Sequence, residues 1–291
     1  MTDATIHPTR RPMFFRKFLN AFMWMLSVCG VALAVFCMLW ILYSVMRNGA
    51  GVISLDFLFC GSKPAGEPDN GVANAILGTI FITLTAVLIG VPAAFAGGIG
   101  LAIYGQNSRI GNMIRFAVNV MMGLPSILAG VFVYALLVVT TGHRSGFAGS
   151  VSLAIIMFPV VMRTTEDMIL MVPPALHESS LALGMTRARS VICIICRSIK
   201  SGLATSVLLA VARTAGETAP LLFTALWSDA WPWDYFTQPT ANLPVLINEY
   251  ATNSPSEEMH AMGWGAAFLI TITLLLLNLT LRFLCREKKH A

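Results

Sequence analysis

Long stretches of this chain run without a charged residue, and they recur at intervals that suit a bilayer. Six mostly apolar runs stand out, at about 20–46, 74–104, 113–141, 149–172, 202–228 and 263–284. A helix needs about 20 such residues to cross the hydrocarbon of a membrane. Within the runs the apolar positions are continuous rather than alternating, which argues against barrel strands. The pattern therefore predicts an all-α polytopic membrane protein with six transmembrane helices. The first run follows the basic stretch "RRPMFFRKF". It is too long for a signal-peptide core of roughly 7–15 residues, and no small-residue cleavage site follows, so it reads as a retained span. No internal repeat interrupts the chain. One membrane domain is expected over 20–284, between tails at 1–19 and 285–291.

Composition agrees with this picture. The 291 residues are 56% hydrophobic and only 11% charged, against about 25% charged residues in soluble domains. The net charge of +5 is then a matter of topology before it is a matter of partners. With the N-terminus inside, the cytoplasmic segments carry Arg10, Arg11, Arg16, Lys17, Arg109, Arg115, Arg187, Arg189, Arg197, Lys200, Arg282, Arg286, Lys288 and Lys289. The outer loops carry Arg47, Lys63 and Arg144, together with the acids Asp56, Glu67, Asp69, Asp229, Asp234, Glu249, Glu257 and Glu258. Such an asymmetry places both termini in the cytoplasm.

Two outer loops are long. Residues 47–73 include the irregular "GSKPAGEPDNG", and residues 229–262 follow the aromatic stretch that opens "WSDAWPWDYF" and contain "LPVLINEYA". The aromatics suit the headgroup level, and the last segment is expected to be a short helix lying on the surface. Both loops are either passive connections or docking surfaces for an external partner. Among the cysteines, Cys193 and Cys196 form a lone CxxC without the further ligands a metal site needs. They read as small apolar residues of a helix, and no cofactor or metal is expected in the chain.

The most basic loop, about 173–200, is "VPPALHESSLALGMTRARSVICIICRSIKSG". A charged linker would account for it, but the residues are patterned. Glu178 is followed by Ser179, Ser180, Gly184 and Ile194 at spacings that resemble the E-A-A-x3-G-x9-I-x-L-P motif of bacterial ABC importer permeases. Serines stand for the two alanines. Cys196 and Arg197 stand for the closing Leu and Pro, a departure that bears on how the loop exits. Glycine at 184 permits a sharp turn between two short helices. In that family the loop forms coupling helices seated on an ATPase subunit. Four further stretches, "GVANAILGTIFITLTAVLIGVPAAFAGGIGLAIY", "LPSILAGVFVY", "FPVVMRTTEDMILMVP" and "RTAGETAPLLFTA", resemble the phosphate-importer permeases over nearly the whole chain. The fold this resemblance implies is the type I ABC importer permease.

No G-x(4)-G-K-[ST] phosphate-binding loop is present, so nucleotide chemistry is not expected in this chain. What the resemblance implies is a non-catalytic subunit in the bacterial inner membrane. Its partners would be a second permease (PstC), a dimeric ATPase that binds ATP and Mg (PstB), a periplasmic phosphate-binding protein (PstS) and inorganic phosphate. A role with a sensor kinase in signalling is left open. Sulfate, molybdate or phosphonate import on the same fold, or a proton-coupled secondary transporter using Glu217, are the alternatives.

Two charge clusters remain. Arg213 and Glu217 lie inside the fifth run, Arg213 roughly 16 Å along a helix from Gly202. A charge at that depth costs about 2.5–3.5 kcal/mol on insertion scales, so neither faces lipid. Their i, i+4 spacing puts them on one face of a helix, and Pro220 predicts a bend. The pair either neutralises itself or presents Arg213 to an aqueous path, where a guanidinium fork matches phosphate oxygens. Arg163, Glu166 and Asp167 lie near the cytoplasmic end of the fourth run. They read as a snorkelling salt bridge or as an exit gate. "LPSILAG", with Pro125, Ser126 and Gly130, reads as structural, for a kink or close packing.

Overall fold

A computed structural model describes residues 13–284, and these are helical apart from turns and loops. The expected tails, with Arg10, Arg11, Arg286, Lys288 and Lys289, lie outside the described residues except for 13–19, which are helical. The chain divides into two compact units at Arg47, where the sequence pattern predicts one domain.

The first unit is essentially one helix. Helix α1 (Met13–Gly49) begins earlier than the apolar run because nothing between Pro12 and Gly49 breaks it. Trp24, Phe36, Leu39 and Trp40 are all exposed, so the helix is apolar all round, as expected of a span.

The second unit starts with a short loop and α2 (Leu55–Phe59), capped by the Ser54 hydroxyl accepting from the Phe57 amide. Helix α3 (Ala73–Tyr104) and helix α7 (Gly146–Leu170) make its central pair. Ile82, Ala86, Gly90, Ala94, Gly98 and Ala102 recur every four residues on α3 and all are buried. Gly90 lies against Ala154, and Gly98 against Met162 and Thr165. Small residues at this spacing let two helices approach without a lost side-chain contact between them.

The third and fifth apolar runs are broken. Helix α4 (Arg109–Gly123) and α5 (Ser126–Val133) meet at an elbow; α5 continues through a π turn (Tyr134–Val138) into α6 (Val139–Thr141), and the bend is 103°. Pro125 supplies the cause. It forces Leu124 out of the helical region (ψ 140°) and brings no amide of its own. After α8 (Pro174–Ala182), α9 (Arg187–Ser190) runs through a π turn (Val191–Ile195) into α10 (Cys196–Ser198), then bends by 78° into α11 (Lys200–Ala215). Gly216 ends α11, and α12 (Ala219–Thr224) begins afresh with Pro220 in its first turn. The predicted bend at Pro220 is thus a complete break one turn earlier. Among the described residues four helices are long and apolar enough to cross a membrane, or up to six if each bent pair is one span.

Residues 243–252 overturn an expectation. Helix α13 (Leu243–Thr252) is no surface helix: Leu243, Val245, Leu246 and Tyr250 are buried. Most of them join Phe57 and Val72 with Met259 and Met262 of the last helix, α14 (Glu257–Leu284), in one core. The loop before α3 is irregular but fixed. Asn74 accepts from the amide and hydroxyl of Ser62 (3.1 and 2.9 Å) and donates to the Asp229 carbonyl (2.9 Å). In this region burial pushes the Asp229 carboxyl upward and the Tyr250 phenol up to about 12, so the phenol stays protonated.

Candidate anion path and coupling loop

The two breaks at 124–125 and 216–218 face one cavity of about 640 Å³. Met121, Leu124, Pro125 and Phe132 line it from the α4–α5 side, Ile155 and Val160 from α7. Arg213, Glu217 and Ser126 are the polar side chains of an otherwise apolar wall. "LPSILAG" therefore does more than kink a helix; its Leu124, Pro125 and Ser126 form part of the cavity. Gly130 brings α5 close to α12, since a Cβ there would lie 2.5 Å from Pro220 Cα.

Arg213 sits in the last turn of α11 and Glu217 lies beyond it, so the pair does not share a face of one continuous helix. The Arg213 Nε–Glu217 Oε1 distance is 4.0 Å, with the side chains 64% and 20% exposed. At that separation the pair is a charge contact and not a hydrogen bond. A cation in the last turn also interacts favourably with the negative end of the helix dipole. The guanidinium makes no hydrogen bond to another described residue, and Arg213 lines the cavity.

Arg163, Glu166 and Asp167 do come together, but away from that cavity. Glu166 is fully buried, with its carboxylate held by Arg163 Nη1 (2.7 Å) and by Arg115 Nε (2.7 Å). Arg163 also reaches Asp167 at 3.3 Å. Arg115 figures in the sequence reading only as a topological charge. Its partner lies 51 residues away, and no local pattern announces the contact.

In the patterned loop, Pro173 and Pro174 start α8 in the way prolines favour, the first extended and the second at the helix N-terminus. Glu178 and Ser179 are exposed, while Ser180 is buried. The Ser180 hydroxyl donates to the His177 carbonyl (2.7 Å) and contacts the Ser190 hydroxyl, which in turn meets His177 Nδ1 at 3.0 Å. Gly184 has φ +83° with open space where a Cβ would stand, so its backbone conformation demands glycine. Thr186 then caps α9 by accepting from the Arg189 amide. Ile194 is half-buried in the π turn, beside the buried Val191 and Ile195. With Arg197 where the motif has Pro, the helix continues to Ser198 before it bends.

Residues 86–286 match the family described as binding-protein-dependent transport system inner membrane component. The phosphate transport system permease protein PstA of Haemophilus influenzae is 42% identical over 276 residues, covering 95% of this chain and 97% of that protein. PstA of Yersinia pestis is 39% identical over 289 residues, covering 99% and 97%. Among solved structures, a chain of a bacterial alginate ABC transporter superimposes with a TM-score of 0.64 at 12% identity, over 95% of this chain and 98% of that one. The helical permease architecture, the matched inner-membrane component and the near full-length relatives agree: the chain belongs to the PstA family of phosphate transport system permeases, within the binding-protein-dependent ABC importer permeases.

Proposed function

We propose that the chain is the membrane subunit of an ATP-driven importer of inorganic phosphate, and that the cavity at Arg213 is part of the translocation path. The observation that carries this is the Arg213 guanidinium in an otherwise apolar wall, in loose charge contact with Glu217 and without a hydrogen bond to another described residue. A guanidinium stays charged at any physiological pH and presents paired donors to the oxygens of a tetrahedral anion. Glu217, 4.0 Å away, orients Arg213 and moderates its charge, so that the anion is attracted without being trapped. The small-residue contacts and helix breaks around the cavity supply a wall with backbone that can rearrange.

The α8–α10 loop is the coupling element. Exposed Glu178, Ser179 and Gly184, with half-buried Ile194, form the contact region for a dimeric ATPase of the PstB type, which binds ATP and Mg. Ser180 instead fixes the loop internally. A second permease of the PstC type completes the path, and a periplasmic protein of the PstS type delivers phosphate to the outer face. Both termini are cytoplasmic in the bacterial inner membrane, and the chain itself catalyses no reaction. Arg163, Glu166 and Asp167 do not line the cavity that holds Arg213.

The test is ATP hydrolysis and uptake by the reconstituted complex in liposomes, with binding proteins loaded with phosphate, sulfate or molybdate. Phosphate-loaded protein should stimulate both. Equal stimulation by the sulfate- or molybdate-loaded protein would replace phosphate with a broader oxyanion reading. Uptake by this chain alone, without the ATPase, would favour a secondary transporter.

A further inference from the structure

The buried carboxylate of Glu166 is bound from two sides, and the geometry of that site says what it joins. Arg115 Nε donates to Oε1 and Arg163 Nη1 donates to Oε2, each at 2.7 Å. Arg115 Nη1 also donates to the Gly105 carbonyl at the end of α3 (3.0 Å) and to Asn112 Oδ1 (2.9 Å). Glu166 therefore ties α4 and the end of α3 to α7. With Asp167 included, the cluster carries two positive and two negative charges. None of these residues lines the cavity that holds Arg213.

The positions along the helices give the cluster a second meaning. On α4, Arg115 lies six residues before Met121, where the cavity wall begins, and α4 ends at the Leu124–Pro125 elbow. On α7, Glu166 and Asp167 lie in the last turn and a half, and four residues after Leu170 the chain enters the coupling helix α8. The same ion pair thus holds the helix that leads into the coupling loop to the helix that leads to the cavity elbow. Stability alone is a weak reason for burying these charges, because well-packed apolar residues serve as well or better. A guanidinium fork, by contrast, fixes the direction of its partner as well as the distance.

We propose that Arg115 and Glu166 form the joint that carries movement of the coupling loop to the α4–α5 elbow, with Arg115 as a positioning residue for transport. The proposal rests on the coupling role given to the loop above. It makes the cluster a connecting element outside the anion's route, in place of a gate through which phosphate passes.

The experiment uses the full complex of both permeases, the ATPase and the binding protein in liposomes. Arg115→Gln together with Glu166→Gln removes one charge of each sign and leaves Arg163 balanced by Asp167. The double variant should assemble and hydrolyse ATP. Phosphate transported per ATP should fall by roughly 2- to 30-fold, the range expected for loss of one coupling contact. Hydrolysis should also lose its dependence on phosphate-loaded binding protein. Arg115→Lys, which keeps the charge and loses the fork, should show a smaller fall in the same ratio.

Wild-type transport per ATP in the double variant would overturn the joint and leave a passive strut. Failure of the double variant to assemble, with Arg115→Lys fully coupled, would also overturn it. If phosphate-loaded binding protein fails to stimulate hydrolysis in the wild-type complex, the coupling role of the loop fails first, a result distinct from either.

Discussion

Replacing Gly130 by alanine puts the least possible side chain where α5 packs against α12, behind the cavity wall. Its Cβ would stand 2.5 Å from Pro220 Cα, 2.9 Å from the Pro220 carbonyl oxygen and 3.1 Å from its carbonyl carbon. All three atoms are backbone, so no rotamer change relieves the overlap. Ordinary carbon contacts are about 3.5–4.0 Å, and α5 must therefore move from α12 by roughly 1 Å. Overpacking of this kind costs about 1–3 kcal/mol. The displacement also acts on function, because Ser126 and Phe132 on one side and Glu217 before α12 all line the cavity. Alanine at Gly100, where nothing lies within 4 Å, is the control. It should be neutral or slightly stabilising, since Gly is about 1 kcal/mol less favourable than Ala within a helix. Thermal unfolding of the purified complex and phosphate uptake per inserted protein measure the two effects. Gly130→Ala should lower both, and Gly130→Val should lower them further. An unchanged melting temperature and uptake in Gly130→Ala would show that the two helices do not meet as described.

Gly184→Asp places a Cβ and a charge on a residue with φ +83°, at the turn between α8 and α9; assembly with the ATPase or transport per ATP should fall, and normal values for both would remove the coupling role. With both termini cytoplasmic as proposed, the half-buried Cys60 should react with an impermeant thiol reagent from outside, and Cys285 only after permeabilisation; labelling of Cys285 in intact spheroplasts would reverse the topology.

Sequence pattern alone revealed the fold where the information is local. The apolar runs of α3, α7 and α14 are continuous and long, and positive φ at Gly184 follows from a glycine between two short helical segments. It was less telling where hydropathy and geometry diverge. Residues 113–141 are apolar throughout, so the elbow at Leu124–Pro125 is invisible to hydropathy even though Pro125 marks it. The same holds at 216–218, where a break between Gly216 and Pro220 leaves Arg213 at the end of α11 and Glu217 in the break itself. The rest depends on contacts distant in sequence. "LPVLINEYA" has a mixed pattern that suits a surface helix, and only Phe57, Met259 and Met262 make it a core element. Arg115 has no signal of its own, because its role depends on Glu166. The stripe from Ile82 to Ala102 gained its meaning only from the structure, which packs that face of α3 on α7.

The central claim is that Arg213 serves the anion and not Glu217, and phosphate uptake by charge-removal variants tests it most directly. At 4.0 Å the pair is beyond hydrogen-bond reach and holds Arg213 only loosely, which is weak ground for neutralising Glu217 being the purpose of Arg213. Arg213→Gln should nearly abolish uptake in an inserted, assembled complex, and Arg213→Lys should retain part of it. Adding Glu217→Gln to Arg213→Gln removes the unpaired carboxylate and should restore nothing. Substantial recovery of uptake in that double variant would contradict the account and make the pair a structural one.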